Sequence, residues 1–330
     1  MNVLVIGGTG FIGKYLVNRL LTGGYTVFCL VRSQEKAKPL EEQGVCCIIG
    51  DVTDINSLEK IPVSEIDIII HLAAMGHVSA SSEEAYQQFV SINEHGTNNL
   101  LSVFKNSERL KKFIHFSSTA AMGHIGIPIL NEQSVPNPVT PYQKSKYRSE
   151  VIVEEAFRKE KMPTIIFRPC MVYGPGGYGE FYKFCKLMKK GIFPKVGMGK
   201  NLTPLVYVTD VVNAVMHVID KGVAGETYIV ASEQSIELDQ MHNFIMDALE
   251  VKAPYIYVPA KVALLAAWVL EKMFGLLKKE PIVSLQNMKS TITDRTFDIS
   301  KIKGIGYQQE TAFEVGIRNT VNWYKSQGRI

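Results

Sequence analysis

Tyr142 and Lys146 stand four residues apart in TPYQKSKYRSE, a stretch whose pattern predicts a helix near 141–161. Residues at i and i+4 share a helix face, so the spacing sets a phenol beside an ammonium. A free tyrosine titrates near ~10, too high for a base at neutral pH. An adjacent positive charge favours the phenolate and lowers that value. Such a tyrosine can protonate a carbonyl oxygen or take the proton of an alcohol. The spacing alone is weak, because it recurs at Tyr182/Lys186 and Tyr257/Lys261. Pro259 argues against a regular helix across the last pair, and the Tyr182 pair has no serine-bearing strand end before it. Tyr142 has one, in FIHFSSTAAMG. Ser118 is expected to hydrogen-bond and orient the substrate oxygen, with Thr119 as the alternative and Ser117 facing the other way.

These side chains need elements to carry them. NVLVIG, YTVFCLV, VCCIIGD, IDIIIHLAA, KKFIHFSS and TIIFRP are short apolar runs separated by helix-like segments, the longest at 83–106. The runs are apolar throughout rather than alternating, so both faces are expected to be covered. Alternating β and α with buried strands implies an α/β fold with a parallel, doubly wound sheet. After about residue 170 the pattern changes to a Gly/Pro-rich YGPGGYG, a loop FPKVGMGKNLTP and mostly helical sequence. The reading is a sheet domain over 1–170, with segments near 205–232 returning to it, and a smaller, mainly helical substrate lobe over 171–330.

VLVIGGTGFIGKYL places Gly7, Gly10 and Gly13 three residues apart, after a strand and at the start of a helix. That context makes a glycine fingerprint a dinucleotide site. The glycines allow the tight turn, close approach of backbone to a pyrophosphate, and helix–strand packing. The helix N-terminus, through Phe11 and Ile12, offers N–H groups and partial positive charge. After the second strand, an acidic residue for a ribose 2′-hydroxyl is missing. Arg32 stands there instead and is placed to clamp a 2′-phosphate; a solvated surface charge is the competing reading. NADP(H) is therefore the expected cofactor, with NAD(H) as the alternative. Asp51 and Val52 in GDVTD are candidates for the adenine amino group and ring, against an ordinary loop Asp. Leu72, Ala73 and Ala74 in HLAAM leave room for the middle of the cofactor, although close packing explains the alanines as well.

The 330 residues carry 46% hydrophobic side chains and a net charge of +4. This suits one large domain or two sharing a core and argues against a nucleic-acid stripe or an acidic tail. Five cysteines form no CxxC or Cys/His metal spacing. Cys29, Cys46 and Cys47 lie in strand-like runs and are expected to pack as small reduced hydrophobes, which points to the cytoplasm. No signal peptide is visible. The most membrane-like stretch, VALLAAWVLEKMFGLL at 262–277, is broken by Glu271 and Lys272. It falls short of the ~20 apolar residues of a spanning helix. A buried or pocket-lining helix is expected, with an interfacial helix as the alternative. His77 and His124 are candidates for the pocket mouth, without any metal-ligand pattern.

With these motifs assembled, the chain resembles the extended short-chain dehydrogenase/reductase family, also called the NAD-dependent epimerase/dehydratase family. The resemblance runs over essentially the whole chain, through GGTGFIG, GDVTD, HLAA, INEHGTNNLL, FSSTAAMG, YQKSK, RPCMVYGPG and LVYVTDVV. It implies a Rossmann-type domain of about seven parallel strands, a small substrate lobe and often a homodimer. It carries acid/base roles onto Ser118, Tyr142 and Lys146. It implies that Asn93 supports the active site and that Pro169 to Val172 line the nicotinamide.

Departures from the family pattern bear on the branch. Dehydratases place an acidic pair after the catalytic Thr; here Ala120 and Ala121 follow Thr119, so dehydration is not expected. Sugar-nucleotide epimerases have Asn where this chain has Met171, and an Arg for the diphosphate where it has Thr203. Lys195 and Lys200 are candidate phosphate contacts, against surface lysine as the plainer reading. RPCMVYGPG and the apolar 262–277 stretch look more like the keto-reducing branches, including 3β-hydroxysteroid dehydrogenase-like, dihydroflavonol reductase-like and keto-sugar reductase groups. The expected activity is hydride transfer between nicotinamide and a small-molecule ketone or secondary alcohol, with Tyr142 as acid/base. The alternatives are a nucleotide-sugar 4-epimerase holding NAD⁺, a 4-keto reductase, and a non-catalytic cofactor sensor.

Overall fold

Seven β-branched, apolar runs form one sheet: β1 (Asn2–Ile6), β2 (Thr26–Val31), β3 (Cys46–Ile49), β4 (Ile68–His71), β5 (Lys112–Phe116), β6 (Thr164–Pro169) and β7 (Thr227–Val230). The computed structural model describes residues 1–76, 83–123, 129–191, 194–197, 199–252, 256–276, 288 and 293–330. The strand order is β7-β6-β5-β4-β1-β2-β3, and every neighbouring pair is parallel. The expected doubly wound α/β sheet is therefore present, including the late return of β7.

The uniform apolarity of the strands has a direct cause. Val3 and Val5 point into one core with Leu16, Val17 and Leu20 of helix Phe11–Thr22 and Val211 and Val215 of helix Val208–Lys221. Leu4 and Ile6 point into a second core with Leu100, Leu101 and Phe104 and with Val153 of the long helix Pro141–Glu160. Both parities are buried, so alternation disappears. Strand order reverses between β1 and β4, which opens a crevice at their carboxyl ends.

A third core holds the later part of the chain. Phe181, Met188, Met241, Ile245, Ile317 and Tyr324, from helices Glu180–Lys189, Leu238–Leu249 and Phe313–Ser326, pack with Tyr173 and Leu205. Short strands Met171–Tyr173 and Leu205–Tyr207 pair in parallel beside it.

Two packing expectations are corrected. Cys29 is buried, but Cys46 is exposed and Cys47 half-buried, because β3 is the sheet's edge strand and has less cover. Helix Ala260–Leu276 is not buried: Ala263 and Ala267 turn inward, while Val262, Leu265, Trp268, Val269 and Met273 are exposed. Among the described residues no helix is long and apolar enough to cross a membrane. His77 and His124 lie outside the described residues.

Candidate active site

The crevice at the sheet's switch point receives the glycine turn. Gly7 has φ +92°, and a Cβ there would lie 2.9 Å from the Ala73 backbone nitrogen. The turns after β1 and β4 thus touch, and only glycine fits. A Cβ on Gly13 would run into the Gly7 carbonyl oxygen, so this glycine sets the closeness of helix to strand. Gly10 is the N-cap of helix Phe11–Thr22, whose first turn has neither a side-chain cap nor an acidic residue. The N–H groups of Phe11, Ile12 and Gly13 are left for an outside anion. These features fit a dinucleotide pyrophosphate.

The flanking positions are arranged along the same crevice. Leu72 and Ala73 are half-buried and Ala74 is exposed after β4. Asp51 Oδ1 accepts from Thr53 N at 2.9 Å and Thr53 Oγ1 at 2.8 Å. Val52 is buried in the second core, against Gly96. Its side chain is committed to packing rather than open to a ring. Arg32 is exposed just beyond β2, with no hydrogen bond or ion pair among the described residues.

On the other side of the switch point, β5 delivers Ser118 and the long helix delivers Tyr142 and Lys146. That helix starts at a capping box, with Thr140 and Gln143 bonding reciprocally and Pro141 in the first turn, a strong local start signal. The Tyr142 hydroxyl is hydrogen-bonded to the Ser118 side chain, and Ser118 Oγ also accepts from Ala120 N at 3.1 Å. Ser117 is buried and Thr119 half-buried, so Ser118 is the hydroxyl brought to Tyr142. Phe89 packs on the Tyr142 ring at 5.8 Å between centroids. One turn on, buried Lys146 donates from Nζ to the Phe116 carbonyl at 2.6 Å.

Burial pushes the Tyr142 phenol up to about 12, opposed by its bond to Ser118. Burial also pulls the Lys146 ammonium down to about 8, opposed by the Glu150 charge. The Lys146 ammonium is bonded to a strand carbonyl and weakened by desolvation, so its help to Tyr142 is partial and leaves room for the positive nicotinamide.

A buried polar network holds the catalytic helix in register. Residues Val90–His95 form a π-helical turn between helices Glu83–Phe89 and Gly96–Phe104, a distortion frequent at functional sites. It presents Asn93, whose Nδ2 donates to Ser145 Oγ at 2.9 Å and whose Oδ1 accepts from Met75 N at 2.9 Å. Ser145 in turn donates to the Tyr142 carbonyl at 2.9 Å. Asn93 thus ties the β4 loop to the helix that carries Tyr142.

Two histidines that the sequence reading passed over complete the network. His71 and His115 are register partners on β4 and β5, with ring centroids 5.4 Å apart. Thr97 Oγ1 gives its proton to the Asn93 carbonyl at 2.7 Å, so it accepts from His71 Nε2 at 3.1 Å. Ser149 Oγ gives its proton to the Lys146 carbonyl at 2.7 Å, so it accepts from His115 Nε2 at 2.9 Å. Both imidazoles are neutral with the proton on Nε2. Burial and the Lys146 charge hold His71 down to about 3 and His115 well below the usual range. Their signal was visible: IIIH ends one strand and KFIHF the next, each with a histidine in its last two residues.

Arg168 belongs to the framework. Its Nε and Nη2 reach Glu150 at 2.8 and 2.7 Å in a buried bidentate pair. Pro169 ends β6, and half-buried Met171 and Val172 lead across the cleft. Thr203 is buried in the strand Leu202–Thr203. A cation lies close to that strand in the fold. Arg295 bonds through its backbone N to the Leu202 carbonyl at 3.1 Å. Its buried Nε has no hydrogen-bond partner among the described residues, and burial lowers its pKa while the nearby Cys170 opposes this. Arg295 is the one arginine between Arg168 and Arg318, a signal the motif reading did not use. Lys200 is exposed, and the side chain of Lys195 lies outside the described residues.

A Rossmann sheet with a glycine turn at the switch point and a Ser–Tyr–Lys set across it defines an enzyme of the extended short-chain dehydrogenase/reductase type. The model of the NAD dependent epimerase/dehydratase family matches residues 3–231, and the chain belongs to that family. Human dTDP-D-glucose 4,6-dehydratase is 29% identical over 343 residues, spanning 98% of this chain and 89% of the human protein. The N-acetyl-α-D-glucosaminyl-diphospho-ditrans,octacis-undecaprenol 4-epimerase of Escherichia coli O157:H7 is 26% identical, spanning 98% and 95%. The fold superposes on the Bacillus cereus UDP-glucuronic acid 4-epimerase in complex with NAD with a TM-score of 0.77, at 21% identity and 99% coverage of both chains. The neighbours bind NAD, and the NADP(H) preference expected from Arg32 finds no support among them. The expected ketone reductase is likewise less well supported than the sugar epimerase alternative.

Proposed function

We propose that this protein is an NAD-dependent 4-epimerase of a sugar carried on a diphosphate. The observation that carries the reading is Arg295, a guanidinium with an unpartnered buried Nε beside the strand that holds Thr203. A half-buried guanidinium with no carboxylate partner among the described residues suits an anionic guest, which a plain lipophilic ketone would not supply. The names of the related enzymes support the same substrate chemistry. Dehydration is disfavoured because Ala120 and Ala121 put no carboxylate after Thr119.

On this reading the residues take the following roles. Gly7, Gly10 and Gly13 shape the turn, and the N–H groups of Phe11, Ile12 and Gly13 hold the cofactor diphosphate. Asp51 serves the adenine end; Leu72, Ala73 and Ala74 leave room for the middle of the cofactor, and Pro169 and Val172 line the nicotinamide side. NAD, when bound, supplies the hydride acceptor and a positive charge. Tyr142 takes the proton of the sugar C4 hydroxyl and returns it to the carbonyl oxygen in the reverse half-reaction, and Ser118 holds that oxygen. Lys146 steadies the end of β5 and adds positive potential under Tyr142. Met171 is a candidate substrate contact. The cofactor half comprises 1–170 with 205–232, and the substrate half follows 171.

The test is to denature the purified protein, identify the released nucleotide, and then supply UDP-hexoses and UDP-N-acetylhexosamines. Retained NAD and C4 inversion without net NADH are expected. Consumption of added NADPH by a ketone panel, with no retained NAD, would replace the epimerase by the reductase.

A further inference from the structure

We propose that the exposed apolar face of helix Ala260–Leu276 seats this protein on the surface of an anionic lipid bilayer. Val262, Leu265, Trp268, Val269 and Met273 are exposed, Leu265 to 61%, while Ala263 and Ala267 are turned into the protein. The helix therefore packs through Ala263 and Ala267 with Leu264, Leu270 and Phe274 half-buried beside them, and it leaves a second apolar face uncovered. Five large apolar side chains on one face form a patch of the kind that marks an interaction surface.

The charges on that face select the occupant. At about 100° per residue, Lys261 and Lys272 fall on the same arc as Trp268 and Leu265, whereas Glu271 falls at its far margin. Both lysines are exposed. Their stems can lie along the apolar surface with the ammonium groups at phosphate level, and the indole suits the boundary between headgroups and acyl chains. Apolar side chains mixed with lysine describe an in-plane interfacial helix. The 17-residue helix, with Glu271 and Lys272 inside it, is too short and too polar to span. A second copy fits less well. The cores of protein interfaces are depleted of lysine, and a two-fold contact through this face would oppose the lysines of the two copies.

The surface also adjoins the substrate lobe. Ala260, at the start of the helix, lines a cavity of about 300 Å³ with Gly197, Lys200, Asn201 and Asp294, the last next to Arg295. The docking itself does not depend on the epimerase reading.

The full chain is tested by flotation with vesicles of phosphatidylglycerol and phosphatidylcholine, and with phosphatidylcholine alone. Binding to the anionic vesicles is expected, weakened on the order of tenfold or more by Leu265→Glu with Val269→Glu and reduced by Lys261→Glu with Lys272→Glu. Doxyl-labelled lipid should quench the wild type more than Trp268→Phe, a readout independent of how the glutamate variants fold. Absence of flotation, equal binding by all variants, or no Trp268-dependent quenching overturns the proposal. So does a wild-type dimer in sedimentation that Leu265→Glu dissociates while vesicles go unbound. C4 inversion of a water-soluble UDP-sugar, assayed in the same variants, should persist. Its loss in every form, wild type included, would count against the epimerase reading and not against docking.

Discussion

The Lys146 ammonium is bonded to the Phe116 carbonyl at 2.6 Å, one turn along the helix from Tyr142. That bond joins the catalytic helix to the end of the strand that delivers Ser118. It leaves Tyr142, pushed up to about 12, dependent on a further positive charge before it can serve as a base. Tyr142→Phe is therefore expected to lower turnover about 10²- to 10⁴-fold, while NAD affinity by titration calorimetry stays within a few-fold. Unchanged turnover would remove Tyr142 from the acid/base role.

Arg295→Met is expected to raise KM for a UDP-sugar on the order of tenfold or more, the scale of a lost charge-assisted contact, with a smaller change in kcat. A fall in kcat alone would show that Arg295 does not hold the diphosphate.

Gly13→Ala forces a methyl group onto the Gly7 carbonyl. A loss on the order of 3 kcal/mol or more is expected from such backbone overlap, together with loss of retained nucleotide. Urea unfolding and nucleotide release would report both; a stable, NAD-loaded variant would contradict the assigned packing.

Removing Glu150 strands the Arg168 guanidinium in the core. Glu150→Ala should cost about 3–5 kcal/mol, whereas Glu150→Met with Arg168→Met should recover much of it. Equal destabilisation by the single and double variants would show that the two side chains are not energetically coupled.

His71 and His115 are held neutral in the fold, while in the unfolded chain they protonate near ~6.5. Below that value the unfolded state binds more protons, so stability falls as the pH falls. For His71 the loss continues down to about 3. His71→Gln with His115→Gln should flatten the decline in urea midpoint between pH 7.5 and 5.5. An unchanged slope would assign the acid sensitivity to other groups.

The local chemistry was legible in the chain itself. Gly7, Gly10 and Gly13 between an apolar run and a helix declare a phosphate turn, because the need for a bare backbone is a local property. Pro141, the Thr140/Gln143 pair and the Tyr142–Lys146 spacing mark one helix and its working face for the same reason. Runs such as IDIIIH declare strands covered on both sides. The tertiary structure alone decided what depends on atoms distant in sequence. It spent the Lys146 charge on Phe116, closed the Asn93–Ser145 link, and joined His71 to His115 across two strands. It set Arg295 beside the strand of Thr203, and it turned Leu265 and Trp268 outward where hydropathy predicted burial. Burial, tautomer and partner choice are set by which surfaces meet, and spacing along the chain encodes only which surfaces exist.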